Sequence, residues 1–155
     1  MKKTLILACL IGLMMPVAAQ TDGRLAGAWG LEEVVIEEFL PASGEVVSVN
    51  TYTQENIYLQ KNFNTIGAIG DLIIFKMNFQ TGESNHILFL SGMIEKDLDV
   101  QIMNNVFSFS AQGQQEIKKY DCQIFENEIQ LTPSVNICKD NKCFRVVYIS
   151  LKRIL

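Results

Sequence analysis

Apolar and polar residues alternate along most of the chain beyond residue 20, in short runs that turn residues separate. The clearest run spans 71–79, where Ile73, Phe75, Met77 and Phe79 share one face and polar residues lie opposite. This period of two is typical of a half-buried β-strand. Similar runs occur at 106–111, 120–124 and 128–132. No window offers a convincing apolar stripe at the helical period of about 3.6 residues.

The turn residues recur at intervals of about 8–15 residues, a spacing typical of an antiparallel sandwich or barrel. The predicted strands are 27–39, 44–52, 56–63, 71–79, 85–94, 99–111, 117–125, 128–132, 135–139 and 143–153. No repeat or change in composition marks a second domain. Because closure into a barrel removes unpaired strand edges, we expect one all-β domain at 20–155, an antiparallel up-and-down β-barrel of about 8–10 strands.

Residues 1–19 have the layout of a secretory signal peptide. Lys2 and Lys3 form a basic start, an apolar stretch runs to Val17, and small residues end at Ala19. The apolar stretch is shorter than the ~20 residues that a transmembrane helix needs. We therefore expect cleavage after Ala19, or one residue later, and an exported protein that is periplasmic or secreted.

Cleavage would change the charge of the chain. Losing Lys2 and Lys3 lowers the 13 basic residues to 11, against 17 acidic ones, and the net charge from −4 to −6. No basic cluster remains to neutralise phosphates, which argues against nucleic acid as a partner. No second apolar stretch is long enough for a helix to cross a bilayer, so we expect no membrane span in the mature chain.

The two ends of the predicted domain carry a short motif. Leu25-Ala26-Gly27-Ala28-Trp29 opens the first predicted strand, and Lys152-Arg153 ends the last one. This arrangement, behind a signal peptide, resembles the bacterial lipocalin-like, or calycin-like, β-barrels. The resemblance implies a barrel-end motif of Gly27, Trp29 and Arg153, in which Arg153 or Lys152 lies over the indole as a cation–π contact. Alternatively, Trp29 is the largest core residue of another β fold.

Aromatic residues on the predicted strands would either fill the barrel or line an apolar pocket. The candidate pocket residues are Phe75, Phe79, Phe89, Phe107, Phe109 and Tyr120. Alternation alone leaves both arrangements open, because a filled and a hollow barrel need the same pattern. The exported, aromatic-rich β pattern and the lipocalin-like opening favour a non-catalytic protein that binds a small apolar or amphipathic ligand.

A second hypothesis is an exported interaction protein, such as a protease inhibitor. The segment 66–70 reads Ile-Gly-Ala-Ile-Gly and resembles an exposed apolar loop, so residues 64–70 could contact a protein partner. Alternatively, the segment is a turn whose isoleucines fold back over the core. We consider the turn the better interpretation.

Two of the cysteines predict a disulfide. A turn at Asp140-Asn141 would pair Lys139 with Lys142 and place Cys138 opposite Cys143, within disulfide distance. An exported protein meets an oxidising compartment, which favours this bond. Cys122 would remain as a buried thiol; if it paired with either of the others, the hairpin bond would be lost.

The sequence offers few other residues that could catalyse a reaction or bind a metal. His86 is the only histidine, which excludes a multi-histidine metal site and makes proton-relay catalysis improbable. A pair of Cys122 with His86 has no supporting local signature. Glu32-Glu33 and Glu37-Glu38 cannot act as dyads, since neighbouring residues on a strand face opposite ways. We expect no enzyme activity, no cofactor and no metal.

Overall fold

The computed structural model describes residues 23–79, 98–111, 118–139 and 141–154, and the structural statements below concern these residues. Nine strands form one sheet in which every pairing is antiparallel. They are β1 (Gly27–Phe39), β2 (Val46–Thr53), β3 (Lys76–Phe79), β4 (Leu98–Met103), β5 (Val106–Ala111), β6 (Lys118–Ile124), β7 (Glu128–Pro133), β8 (Asn136–Lys139) and β9 (Lys142–Ile154). Helix α1 (Phe63–Ile69) and 3₁₀ turns at Gly23–Leu25, Gln60–Asn62 and Gly70–Leu72 complete the described elements. The predicted all-β class is confirmed.

The two longest strands, β1 and β9, pair with each other along almost their whole length. The pairing runs from Ala28 opposite Ile154 to Phe39 opposite Cys143. We call the first limit the Trp29 end of the sheet and the second the disulfide end. The register shifts between Leu31 and Glu33 and again between Val35 and Ile36. Such bulges change which alternate residues face inward.

The first shift explains the burial pattern of β1. Trp29 and Leu31 are buried before it, and Val34 and Ile36 are buried after it. Because the inward positions move from odd to even numbers, a strictly alternating pattern fails across this strand. Both halves nevertheless contribute to one hydrophobic core.

At two positions in the sheet, two short strands lie end to end where one long strand would fit. Strand β2 pairs with Glu33–Phe39 of β1 and β3 pairs with Gly27–Gly30, so they share one edge of β1 and run in the same direction. Residues 54–75 leave the sheet between them. On the other side of the central pair, β7 and β8 pair in the same way with the two halves of β9.

The remaining strands extend the sheet from β7 through β6 and β5 to β4. The sheet is curled, as a contact between distant strands shows. The ring of Phe79 on β3 meets the ring of Phe107 on β5 edge to face, with centroids 5.9 Å apart. Strands β3 and β4 do not pair with each other in the described ranges, so closure into a barrel is not shown. The predicted strand 85–94 lies outside the described residues.

The predicted strand at 56–63 is wrong, and the one at 71–79 is shortened to β3. Residues 54–75 instead form turns and α1, and they bury Ile57, Ile69 and Leu72 in the core. Ile73, Ile74 and Phe75 are buried consecutively, which a half-buried strand does not allow. The Asn56 side chain fixes the exit from β2 by accepting the backbone N–H of Thr53 at 2.8 Å. Packing against the sheet therefore overrides the local alternation.

The predicted strand 99–111 is divided into β4 and β5 by a tight turn. Asn104 and Asn105 both adopt positive φ, 53° and 61°. Asparagine tolerates this left-handed backbone better than most residues, and consecutive left-handed residues suit a two-residue hairpin. The Asn-Asn pair was the sequence signal for this turn.

The predicted disulfide between Cys138 and Cys143 is confirmed. The register is also as predicted, since Cys138 lies opposite Cys143 and Lys139 opposite Lys142. Asn141 has a φ of 61°, which its position in the hairpin turn requires. A crosslink that closes so short a loop contributes about 2 kcal/mol through chain entropy, less than a long-range disulfide would.

A buried hydrogen bond ties the inserted segment to the sheet. The Tyr120 hydroxyl on β6 donates to the Leu72 carbonyl at 2.8 Å, and burial raises the pKa of this phenol. We predict that Tyr120→Phe lowers the free energy of unfolding by about 1–2 kcal/mol, because it leaves the carbonyl without this donor. Urea denaturation would measure the change. Tyr58→Phe is the control: Tyr58 is exposed, so a loss as large there would contradict this explanation.

Candidate ligand-binding site

Trp29 lies at one end of the core and is completely buried. Its indole Nε1 donates to the Leu25 carbonyl at 3.0 Å, so the only polar atom of the ring is satisfied. The Arg153 guanidinium lies over the ring, 4.3 Å from its centroid. The predicted cation–π contact is therefore present, with Arg153 rather than Lys152 as the cation. This distance lies well within the ~6 Å range of such contacts.

Backbone carbonyls hold Arg153 over the indole. Its guanidinium donates to the carbonyl of Ala26, to that of Arg24 at 2.7 Å and to that of Glu126 at 3.4 Å. These carbonyls come from the entry to β1 and from the turn between β6 and β7. The single guanidinium thus joins three parts of the chain at the Trp29 end.

Gly27 is required beside Arg153 for two reasons. Its φ is +118°, a conformation that residues with a side chain rarely adopt. A Cβ at this position would also lie only 3.0 Å from Arg153 Nη1. Gly27, Trp29 and Arg153, predicted together as a barrel-end motif, thus pack against one another at this end of the core.

Four of the six candidate pocket residues can be placed, and all four side chains are buried. Phe79 and Phe107 contact each other, Tyr120 binds the inserted segment, and Phe75 stacks on exposed Tyr58 with ring centroids 5.8 Å apart. Phe89 and the side chain of Phe109 lie outside the described residues. The structure therefore brings Phe79, Phe107 and Tyr120 together on the inner face, while Phe75 belongs to the inserted segment rather than to a strand.

Helix α1 occupies the region near the disulfide end. It contacts β8, and the side chain of its Thr65 lies near Tyr52 of β2. Ile69 is completely buried, and Ile66 and Ala68 pack partly buried against the core. The view of residues 64–70 as an exposed loop is therefore wrong. The isoleucines fold back over the core, as the alternative interpretation expected, because their apolar side chains gain more by burial than by exposure.

Two open clefts among the described residues are polar. The larger, of about 470 Å³, is lined by Glu32, Thr53, Gln54 and Glu55, where the sheet is interrupted between β2 and β3. The smaller, of about 260 Å³, adjoins the Asn104-Asn105 turn; its lining consists of Asn104, Asn105, Asp121, Cys122, Gln123, Gln130 and Thr132. None of the four aromatic candidates that the structure describes lines either cleft. An apolar ligand would therefore need the inner face.

The carboxylates of β1 are matched by partners on β9. Glu37 accepts from Arg145 Nε at 2.6 Å, and Glu38 lies 2.8 Å from Lys142 Nζ. Glu32 binds Lys152, a contact that raises the pKa of the Lys152 ammonium. These pairs form a charged rim along the β1–β9 ladder. The sequence alone could not predict these ion pairs, because it does not show that β1 pairs with β9.

One polar side chain of this surface is buried. Ser150 is 2% exposed, and its hydroxyl lies 2.9 Å from Glu128 Oε1 and 3.3 Å from Glu32 Oε2. A hydroxyl has one proton to donate, so it binds one of the two carboxylates at a time. Across the described ranges, no three acidic, cysteine or histidine side chains converge as metal ligands.

Comparisons of the chain with family models, with curated proteins and with solved structures find no match. Among the described residues, no helix has both the length and the apolar character needed to cross a membrane.

The Arg153 contacts predict a specific loss of stability. Arg153→Lys keeps the charge but removes the planar group that stacks on Trp29 while donating to several carbonyls. We expect unfolding to become easier by about 1–3 kcal/mol, with altered fluorescence of Trp29, the only tryptophan. The matched control is Lys152→Met, since solvent screens the exposed Lys152–Glu32 pair and its loss should change stability much less. Equal effects of the two substitutions would refute the role assigned to Arg153.

Tyr148 on β9 gives a pH-dependent prediction. Its hydroxyl donates to Glu33 Oε1 at 2.6 Å, and this hydrogen bond is the main cause of a raised Tyr148 pKa. Because the folded pKa exceeds the unfolded value of about 10, the stabilisation is present below pH 10 and is lost as pH rises through the folded value. Glu33→Gln should return the pKa towards 10, as NMR of ring-labelled tyrosine would measure. An unchanged Tyr148 titration in that variant would argue against Glu33 as the cause.

Proposed function

We propose that this protein is an exported, non-catalytic β-barrel of the lipocalin-like kind that binds a small apolar or amphipathic ligand against its inward-facing aromatic side chains. The observation that carries the proposal is the edge-to-face contact of Phe79 with Phe107. It brings β3, at one border of the described sheet, next to β5, which lies beside the border strand β4 at the other. Export is proposed from the layout of residues 1–19.

Strand direction supports closure of the barrel. Strands β3 and β4 both run towards the Trp29 end, as successive antiparallel pairings across the sheet require. One strand running the opposite way would be antiparallel to both. The chain from Phe79 to Leu98 connects them, and the sequence predicts one strand at 85–94.

The strand count also agrees with a small barrel. If β2 with β3, and β7 with β8, are each taken as one interrupted strand, the described sheet has seven positions. The strand predicted at 85–94 would make eight. An eight-stranded barrel has an interior that side chains fill or that holds one small ligand. The motif of Gly27, Trp29 and Arg153 would close one end of it.

The uncharged side chains of the inner face favour a ligand that has an apolar part. The core residues near Phe79 and Phe107 include Cys122, Leu131 and Ile149, and none carries a charge. The charged pairs lie along the β1–β9 ladder, and the two clefts are lined mostly by polar residues. An amphipathic molecule could bury its apolar part while its polar group stays in water, which fits a pocket with one open end.

A fluorescent fatty acid would test this function. Trp29 is the only tryptophan, so energy transfer from it to cis-parinaric acid reports binding near the core. We predict saturable 1:1 transfer in the protein lacking residues 1–19. Cys122→Phe adds a ring to the interior beside Leu131 and should weaken binding about tenfold or more, because overpacking removes ligand space.

Gln123→Phe is the matched control, because the neighbouring position on β6 faces outward. It should bind the fatty acid as the unmodified protein does. If Cys122→Phe does not fold, Phe107→Ala takes its place: enlarging the interior should change the affinity, while Ser108→Ala should not. No saturable transfer, or equal effects of inward and outward substitutions, would exclude the proposed site.

A further inference from the structure

We propose that Cys138–Cys143 is an exchangeable disulfide at which a dithiol reductant acts, and that its reduction releases β8 and α1 while the β1–β9 core stays folded. The proposal does not depend on the ligand proposed above. It rests on where the disulfide lies, on what holds β8 in place, and on what β8 contacts.

The two cysteines differ in accessibility. Cys138 is exposed, whereas Cys143 is only 1% exposed. Cys143 lies on β9, which pairs with β1 on one side and with β8 on the other. Thiol–disulfide exchange needs direct approach of the attacking thiolate to a sulfur. An incoming thiolate therefore meets Cys138, and Cys143 is the leaving group. Exposed disulfides of this kind are those that exchange most readily, whereas structural ones resist reduction.

Strand β8 depends on the disulfide for its attachment. It has four residues, and among the described strands it pairs only with β9. Three of its four residues are exposed, so little apolar surface holds it down. Ile137 is the exception and packs partly buried against the core. A short strand with few buried contacts belongs to the least stable part of a fold.

Helix α1 connects β8 to the interior. Ile137 lies opposite Phe144 on the side of the hairpin away from the disulfide, and α1 contacts β8. The helix has seven residues, too few to be stable without its tertiary contacts. Loosening β8 therefore removes one support of α1, and with it part of the cover over the disulfide end of the core.

The exchange transfers two electrons from the dithiol to the disulfide in two steps. A thiolate of the reductant attacks Cys138 Sγ, a mixed disulfide forms, and the bond to Cys143 Sγ breaks; Cys143 leaves as a thiolate and takes up a proton. The second thiol of the reductant then attacks the mixed disulfide and releases Cys138. Two electrons pass to the protein, and the dithiol becomes a disulfide.

Mass spectrometry with a monothiol would identify the attacked sulfur. Incubation of the folded protein with reduced glutathione should give an adduct on Cys138 and none on Cys143. Trypsin cleavage after Lys139 and Lys142 separates Cys143 from the peptide 120–139, and fragmentation of that peptide distinguishes an adduct on Cys138 from one on Cys122. An adduct on Cys143, or reduction only after denaturant is added, would overturn the proposal.

Hydrogen exchange would test the structural consequence. After reduction with dithiothreitol, backbone amides of 136–139 and 63–69 should exchange roughly 10- to 50-fold faster, since a short-loop crosslink has been lost. Amides of 149–151, within the β1–β9 ladder, should keep their protection. Unchanged exchange in the first two segments, or faster exchange in all three, would contradict a local release.

Two cysteine variants control for side effects of the reductant. Cys138→Ser combined with Cys143→Ser should show the fast exchange of 136–139 and 63–69 with or without dithiothreitol. Cys122→Ser should respond to dithiothreitol as the unmodified protein does, because Cys122 lies on β6, outside the hairpin. A response that disappears in Cys122→Ser would assign the effect to the wrong thiol and overturn the proposal.

Discussion

The pairing of β1 with β9 is the constraint on which the other described elements depend. It joins residues 27–39 to residues 142–154, the two ends of the described chain, and both strands are long enough to pair with two short strands on their outer edges. Trp29, the β1 carboxylates and the disulfide hairpin all take their partners from this ladder. Because the paired segments are more than 100 residues apart, the ladder carries a large loop-closure cost that buried side chains must offset. The core on its inner face includes Val34, Ile36, Ile149 and Leu151.

The interruptions of the sheet follow from this arrangement. One edge of β1 is shared by β2 and β3, and the chain between them is free to leave the plane of the sheet. It carries apolar residues, among them Ile57, Ile69 and Leu72, which become buried against the inner face. The Tyr120 hydroxyl and the Asn56 side chain satisfy backbone groups along this path. The same segment that fills part of the core therefore also limits the space for a ligand, which places any pocket towards Phe79 and Phe107.

The sequence predicted the features that depend on local pattern and missed those that depend on distant contacts. Alternation located β6 and β7 within a residue or two, and the four-residue spacing located the disulfide hairpin with its register. The prediction of a strand at 56–63 was wrong. Ile57 and Ile69 are buried because they pack against the sheet, and the residues next to them in the sequence do not show this. The turn at Asn104-Asn105 was missed although its two asparagines carried the signal. The bulges at Glu32 and in β9 could not be predicted, because they adjust two strands to each other.

For the candidate site, the pattern identified which side chains face inward but not what they enclose. Phe79, Phe107 and Tyr120 lie on the inner face as expected, and Arg153 lies over Trp29. Whether such a face binds a ligand depends on volume, and volume is set by the combined packing of residues from several elements. One end is closed by a guanidinium that three carbonyls fix in place; the other is covered by a seven-residue helix held partly through a four-residue strand. The two closures differ in stability, because the first joins the long central strands and the second rests on short ones. Any exchange between the core and solvent should therefore begin at the disulfide end.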